Sequence, residues 1–379
     1  MAGVQDRRWE GAGTLTLAAF AVLAGCGAKT DLWMPDVDAG PPDCSPTPLA
    51  LRPVPPEVMF LVDRSGSMDW RLDADEPATD GELSRWRLLE QTLAAVLAET
   101  DPTVRVGAKF FPAENFWPPG SWEPDMCRVE PSLDLEPIAG RLDRLLSFFR
   151  TTSPLGGTPT AEALEEVRIR FARRSGDGVP RFVVLATDGG PNCNPDPEIP
   201  PPDCYCTGQP YTCDPSPRPV GVGETAALNC LDEDRTIDRI EFIFRDSDVP
   251  VYVIGLGSPS RPELLDVLDR MAVAGGRPRP DGGERRFYDV QEPEDLRSAL
   301  DTITRSILRC TLQVSPPGPD DPTTVFVTID GRYVRHDHLR DDGWDFTNDE
   351  RTELTLFGTA CAEMMDEAAE IAATVECPE

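Results

Sequence analysis

The sequence contains few of the side chains that most often act as acids, bases or nucleophiles in enzymes. Among 379 residues there are two histidines, His336 and His338, two lysines and five tyrosines. No G-x-S-x-G or comparable nucleophile motif occurs. A metal-dependent hydrolase stays open as an alternative, because the abundant acidic residues could form an acid–base pair and a metal could activate water. The shortage nevertheless favours a binding protein over an enzyme.

Positive charge is also scarce. Lys and Arg number 36 against 67 Asp and Glu, which gives a formal net charge of −31. Nucleic acid and anionic membrane surfaces would repel such a chain, so neither is expected as a direct partner. An acidic surface suits a secreted protein and the binding of cations.

The apolar stretch near the N-terminus, residues 11–24, is too short to cross a bilayer as a helix. Arg7 and Arg8 precede it and Leu23-Ala24-Gly25-Cys26 ends it, which predicts a secretory signal over residues 1–25. The L-A-G-C ending resembles a bacterial lipobox. Cys26 is therefore expected to carry lipid and to anchor an exported lipoprotein in the bacterial cell envelope, with cleavage alone as the alternative.

Residues 26–56 have few large apolar side chains, and eight prolines lie between residues 27 and 56. This composition predicts an extended, mobile tether that lifts the folded part away from the membrane.

Strand and helix patterns alternate over residues 57–309. Apolar runs predict strands, and apolar residues at helical spacing predict helices between them. The predicted strands are Val58–Val62, Val104–Phe111, Phe182–Ala186, Val251–Leu256 and Phe287–Val290; the predicted helices are 82–99, 136–149, 160–174, 225–246, 261–273 and 292–308. The alternation predicts an α/β domain, with a doubly wound, mostly parallel sheet flanked by helices.

The alternation ends near residue 310, and residues 310–379 predict a small, mostly-β module. Val325, Val327 and Ile329 alternate along one predicted strand, and Asp330-Gly331 follows as a hairpin turn. His336-x-His338 could supply two metal ligands, but no third is evident. A solvated hairpin is the favoured interpretation of this pair.

Three short motifs carry oxygen-bearing side chains at the ends of predicted elements. Asp63-x-Ser65-x-Ser67 follows the first strand of the α/β domain, Thr158 opens a predicted helix, and Asp188 follows the strand Phe182–Ala186. Ligands in open α/β sheets bind beyond the carboxyl ends of the strands, so the topology brings Asp63 and Asp188 together. Hydroxyl and carboxylate oxygens suit a hard cation, Mg²⁺ above all, with Mn²⁺ or Ca²⁺ in its place.

Taken in this order, the motifs resemble the metal-ion-dependent adhesion site of the von Willebrand factor type A (VWA) family, over about residues 57–309. The resemblance implies that the two serines and the threonine contact the metal directly and that the aspartates often act through water. It further implies an open metal position that an Asp or Glu of a partner protein fills. The implied function is a divalent-metal-dependent protein-binding or adhesion module on an envelope lipoprotein. A structural lipoprotein whose metal only stabilises the fold is the alternative.

Two insertions interrupt the α/β pattern, residues 112–135 and the Cys- and Pro-rich residues 189–224, which we call the collar. The collar starts beside Asp188 and is expected to border the metal face, either selecting a partner or merely held by disulfides.

The chain has 11 cysteines, and an exported protein is expected to pair them once Cys26 is set aside. A zinc site at Cys204-x-Cys206 and Cys213 is the competing interpretation. In the VWA family the ends of the domain lie close together, which implies a Cys44–Cys310 disulfide and leaves Cys361 to pair with Cys377. The other six lie in or near the collar: Cys127, Cys193, Cys204, Cys206, Cys213 and Cys230.

Overall fold

A computed structural model describes residues 46–53, 55–113, 126–129, 133–174, 179–207, 213, 226–257, 261–279, 283–366 and 368–376. The predicted signal sequence, the lipid site Cys26 and the first part of the tether lie outside these residues, as do Cys44 and Cys377. Within the described part of the chain, no helix combines the length and the apolar character needed to cross a bilayer.

A six-stranded sheet forms the centre of the α/β domain. Its strands are β2 (Glu57–Asp63), β3 (Arg105–Phe111), β4 (Leu135–Ala139), β5 (Arg181–Thr187), β6 (Val251–Leu256) and β7 (Tyr288–Val290), in the order β4-β3-β2-β5-β6-β7. All neighbouring pairs are parallel except β3 with β4. Every residue of β2 and of β5 is buried, as expected for strands covered on both faces.

Helices cover both faces of this sheet. They are α1 (Arg85–Glu99), α2 (Leu142–Thr151), α3 (Thr160–Ala172), α4 (Glu233–Ser247), α5 (Pro262–Ala274) and α6 (Pro293–Arg309). Phe60 and Val62 of β2 belong to a core with residues of α1, α2 and α6, whereas Met59 and Leu61 belong to a core with residues of α3, α4 and α5. The prediction of an α/β fold is confirmed.

Two predicted helices begin more than one helical turn later than their sequence patterns indicated. The first four residues of the predicted helix 136–149 belong to the edge strand β4 instead. Pro137 and the left-handed backbone of Gly140 (φ +70°) prevent a helix there, and Leu135 faces the core. The helix predicted over 225–246 begins at Glu233, after a short 3-10 turn at Ala227–Asn229.

A second, antiparallel sheet of seven strands forms the β module. Its strands are β1 (Thr47–Pro53), β8 (Thr311–Ser315), β9 (Val325–Ile329), β10 (Arg332–Val334), β11 (Gly343–Phe346), β12 (Glu353–Phe357) and β13 (Ile371–Val375), with the short helix α7 (Gly358–Met364). Their order is β10-β9-β13-β1-β8-β12-β11. The predicted β character of residues 310–379 is confirmed. The core of the module contains the fully buried Trp344.

The tether prediction is wrong for residues 47–53, because they form the central strand β1 of the module. β1 pairs with β13 on one side, with Thr47 opposite Val375, and with β8 on the other, with Pro53 opposite Leu312. Leu49 anchors the strand in the module core. The α/β domain is therefore an insertion between two neighbouring strands of the β module.

Candidate metal site

Asp63 and Asp188 meet at one edge of the α/β sheet because their strands are parallel neighbours. β2 ends at Asp63, β5 ends one residue before Asp188, and Val62 lies opposite Ala186 in the ladder. The hydroxyl of Ser67 donates a hydrogen bond of 3.0 Å to Oδ1 of Asp188. Two of the three predicted motifs are thus in direct contact.

The loop after β2 folds back so that its polar side chains face the same point. The backbone N–H of Ser65 donates to Oδ1 of Asp63 at 2.7 Å, and the hydroxyl oxygens of Ser65 and Ser67 lie 3.2 Å apart. Arg64 points the other way and donates to the backbone carbonyls of Pro112 and Ser153. These bonds hold two hydroxyls and two carboxylates close together.

The loop carrying Thr158 packs against the same edge through its backbone. Gly66 N–H donates to Gly156 O at 3.1 Å. Thr158 itself is buried, with 6% of its surface exposed. Its N–H donates to Oδ1 of Asn192 at 2.7 Å, and Asn192 N–H donates back to Thr158 O at 2.9 Å. Asn192 lies at the start of the collar, so the collar holds the third motif in place.

Residue 157 must be glycine, because the Thr158 loop packs too closely against the collar to leave space for a side chain there. A Cβ atom at residue 157 would lie 2.6 Å from Sγ of Cys193 and 2.9 Å from Oδ1 of Asn192. Cys193 is joined to Cys127 by a disulfide, and Met126 O accepts the Gly157 N–H. The Thr158 loop therefore lies between two segments that the disulfide locks together.

The buried environment of the Asp63 carboxyl favours a cation beside it. Its carboxyl is fully buried, and burial, with the nearby Asp188 as second cause, raises its pKa from 3.8 to about 7. Hydrogen bonds from Thr187 (2.6 Å) and Ser65 oppose this rise only in part. A buried carboxylate of this kind favours a nearby positive charge. Oxygen donors from Asp63, Ser65, Ser67, Thr158 and Asp188 fit a hard divalent cation.

Arg85, whose side chain is 1% exposed, was not predicted from the sequence as part of the site. Its NH1 atom lies 2.6 Å from Oδ2 of Asp188. Arg85 is in line with the buried Leu89 and Leu93 at i+4 spacing on α1. The position of a charged residue on the apolar face of a helix could have indicated that Arg85 is buried. It does not indicate which residue pairs with it. Asn192 offered no comparable signal.

The cysteines of the collar form disulfides, which contradicts the zinc alternative. Cys204 pairs with Cys230, and Cys206 pairs with Cys213. The sulfurs of Cys204, Cys213 and Cys230 lie within 4.8 Å of one another, but each is already bonded. With Cys127–Cys193, all six cysteines in or near the collar pair among themselves as predicted.

The two remaining predicted pairs are wrong, because Cys310 is bonded to Cys361. This bond joins the end of α6 to α7 within the β module. The ends of the α/β domain do lie close together, since Pro53 is opposite Leu312, but Cys310 belongs to the module core, where Cys361 also lies.

The histidine pair shows no metal site. His336 Nε2 lies 3.0 Å from a carboxylate oxygen of Asp345. Within the residues that the structure describes, no cluster of three possible metal-binding His, Cys, Asp or Glu side chains includes His336 or His338.

No known family model matches this sequence, and no curated protein matches it. Several solved structures match. The PilB minor pilin of Streptococcus sanguinis is 17% identical with a TM-score of 0.41, over 68% of this chain and 63% of that one. The vWF domain of the type V pili tip protein Mfa5 of Porphyromonas gingivalis is 15% identical with a TM-score of 0.40, over 67% and 95%. Manganese-loaded TRAP of Plasmodium vivax is 15% identical with a TM-score of 0.38, over 78% and 93%.

This chain therefore spans less than two thirds of the PilB structure.

Proposed function

We propose that this protein is a VWA-type binding module that holds one divalent cation at Asp63, Ser65, Ser67, Thr158 and Asp188 and uses it to bind an acidic residue of a partner protein. The observation that carries the proposal is the Ser67–Asp188 hydrogen bond beside the fully buried Asp63. It brings an acidic and hydroxyl-rich cluster to the carboxyl edge of the sheet, where α/β domains bind ligands.

The donor set supports Mg²⁺ as the resident ion, with Mn²⁺ or Ca²⁺ as substitutes. The side chains offer only oxygen, and three of the five are neutral hydroxyls. A cation bound by such a set would supply an electrophilic centre able to accept a carboxylate oxygen. The protein's own part is to hold the hydroxyls in position and to limit the negative charge around them.

Binding is favoured over hydrolysis because both carboxylates of the site already have hydrogen-bond donors. Asp63 accepts from Ser65 and Thr187, and Asp188 accepts from Ser67 and Arg85. A hydrolytic site would need a base free to take a proton from water.

The proposed location is the bacterial cell envelope, with the membrane reached only through lipid on Cys26. Four disulfides among the described residues support an oxidising compartment. Mass spectrometry of the mature N-terminus tests the anchor, and a chain that starts elsewhere or has an unmodified Cys26 would contradict it.

Calorimetry with MgCl₂ and MnCl₂ tests the site. We expect Asp63→Asn to weaken metal binding at least about tenfold, which corresponds to about 1.4 kcal/mol. Asp73→Asn is the matched control, since its side chain is 71% exposed and paired with Arg71. Equal metal binding by wild type and Asp63→Asn would contradict the proposal.

Capture from envelope extract, with Mg²⁺ or with a chelator, tests the partner. We expect wild-type protein to retain a partner only with Mg²⁺, and Asp63→Asn to retain none. Metal binding without any metal-dependent partner would favour the alternative, a lipoprotein whose metal stabilises only its own fold.

A further inference from the structure

Arg85 places a permanent positive charge against the candidate metal site. Its NH1 atom lies 2.6 Å from Oδ2 of Asp188, while Oδ1 of the same carboxylate accepts the Ser67 hydroxyl. Asp188 is therefore shared between the guanidinium and the hydroxyl cluster. An arginine stays protonated at any pH at which the protein is folded.

The surroundings of the guanidinium prevent it from leaving Asp188. Nε donates to Arg71 O at 3.1 Å, and NH2 contacts Asp75 at 3.1 Å. The loop at Gly257 packs against it so closely that a Cβ atom there would lie 3.1 Å from both Nε and NH2. Arg85 is thus a fixed part of the site.

We infer that Arg85 determines the ligand preference of the metal site, by lowering its affinity for the cation and raising the preference of the bound cation for an anionic ligand. This inference rests on the proposed function. The two carboxylates, Asp63 and Asp188, would cancel the charge of a divalent ion by themselves. With Arg85 included, the buried groups and the ion together carry one positive charge, which a partner carboxylate neutralises.

Asp75, on the more exposed side of Arg85, partly neutralises the arginine charge and so reduces its effect on the metal site. Its side chain is 19% exposed, compared with 2% for Asp188, so water screens its contact with Arg85 more strongly. Removal of Asp75 would leave more of the arginine charge facing the metal site. Asp75→Asn should therefore act in the opposite direction to Arg85→Gln.

The test titrates Mn²⁺ into the full protein by electron paramagnetic resonance, with and without acetate as the carboxylate probe, at constant ionic strength. We expect Arg85→Gln to bind Mn²⁺ about tenfold more tightly than wild type. Acetate should increase the Mn²⁺ affinity of wild type, as reciprocal coupling requires, and should have little effect on Arg85→Gln. Arg85→Lys keeps the charge and should retain the acetate effect.

Arg71→Gln is the matched control, because it removes a neighbouring cation that pairs with Asp73 and Glu82 instead of Asp188. Its Mn²⁺ and acetate responses should equal those of wild type. Circular dichroism checks the fold of each variant. If Arg85→Gln does not fold, Asp75→Asn decides, with weaker Mn²⁺ binding and a larger acetate effect expected.

Unchanged Mn²⁺ and acetate responses in folded Arg85→Gln, or in Asp75→Asn when Arg85→Gln does not fold, would overturn the inference while leaving the metal site intact. Absence of Mn²⁺ binding by wild type would overturn the proposed function, and this inference with it. The two failures are thereby distinguished.

Discussion

The side chain of Asn192 accepts a hydrogen bond of 2.7 Å from the backbone N–H of Thr158, and the backbone N–H of Asn192 donates back to the Thr158 carbonyl. This reciprocal pair joins the start of the collar to the loop that carries one of the proposed metal ligands. The collar thus helps to position the Thr158 loop as well as bordering the candidate site.

We expect Asn192→Ala to weaken Mg²⁺ binding about tenfold at most, because one hydrogen bond that fixes the Thr158 loop is lost, at a cost of about 0.5–1.5 kcal/mol. Calorimetry measures the change. Asn194→Ala is the control, since Asn194 lies on the same segment but donates to Asp232. Equal losses in the two variants would mean that Asn192 has no special role.

Removal of the Cys127–Cys193 disulfide should lower both stability and metal affinity. We expect the double Cys→Ser variant to lose about 2–4 kcal/mol of unfolding free energy. Its Mg²⁺ affinity should fall as well, because Gly157 contacts this bond closely. The matched control removes Cys310–Cys361, which closes a similar sequence separation, 51 against 66 residues. That control should lose stability alone, as measured by denaturant unfolding and calorimetry.

Glu57 and Asp63 occupy opposite ends of β2, which allows stability and function to be separated. Glu57 is fully buried and contacts Arg105, Arg174 and Arg181 at 3.0, 2.5 and 3.2 Å. We expect Glu57→Gln to cost about 3–5 kcal/mol of stability, because Arg181, whose side chain is 7% exposed, loses its buried counter-charge. Mg²⁺ affinity below the melting temperature should not change. A parallel loss of affinity would indicate that the effect spreads along the strand.

The burial of Glu353 predicts a pH dependence of the folding stability that is independent of the metal site. Burial, opposed in part by its hydrogen bond from Thr347, raises the pKa of Glu353 above its ordinary value of 4.5. The folded state therefore holds the proton more tightly than the unfolded state. This contribution to stability is fully present below the unfolded pKa and is lost as the pH rises through the folded pKa.

Glu353→Gln should consequently raise the melting temperature at pH 7. It should also reduce the fall of the melting temperature that wild type shows as the pH rises above the acidic range. Thermal unfolding from pH 4 to 8 measures both effects. The exposed Glu350→Gln serves as the control and should leave the profile unchanged. A lower melting temperature for Glu353→Gln at pH 7 would contradict the prediction.

Much of the site could be predicted because parallel strands end at one edge of a sheet. Asp63 and Asp188 follow recognisable apolar runs, so the α/β pattern alone was enough to bring them together. Arg85 and Asn192 could not be assigned in this way. Their partners lie far away along the chain, and their roles depend on the particular packing of α1 and the collar.

Dependence on residues far away along the chain also explains the errors in the predicted fold. β1 has prolines at both Pro48 and Pro53, which favoured a tether, and its position between β13 and β8 depends on pairing with residues at the other end of the sequence. The partner of Cys310 was likewise decided by the packing of α7, whose position the β pattern did not predict.

The insertion of the α/β domain between β1 and β8 has a mechanical consequence. A partner held at the metal site and an anchor on the N-terminal side would pull β1 along its own length. β1 leads directly along the backbone into β2 and the loop at Asp63, so such a load would run through the covalent chain and bypass the two ladders that hold β1 in the module. Under the proposed function, the hydrogen bonds of the β module would therefore carry little of the tension between anchor and partner.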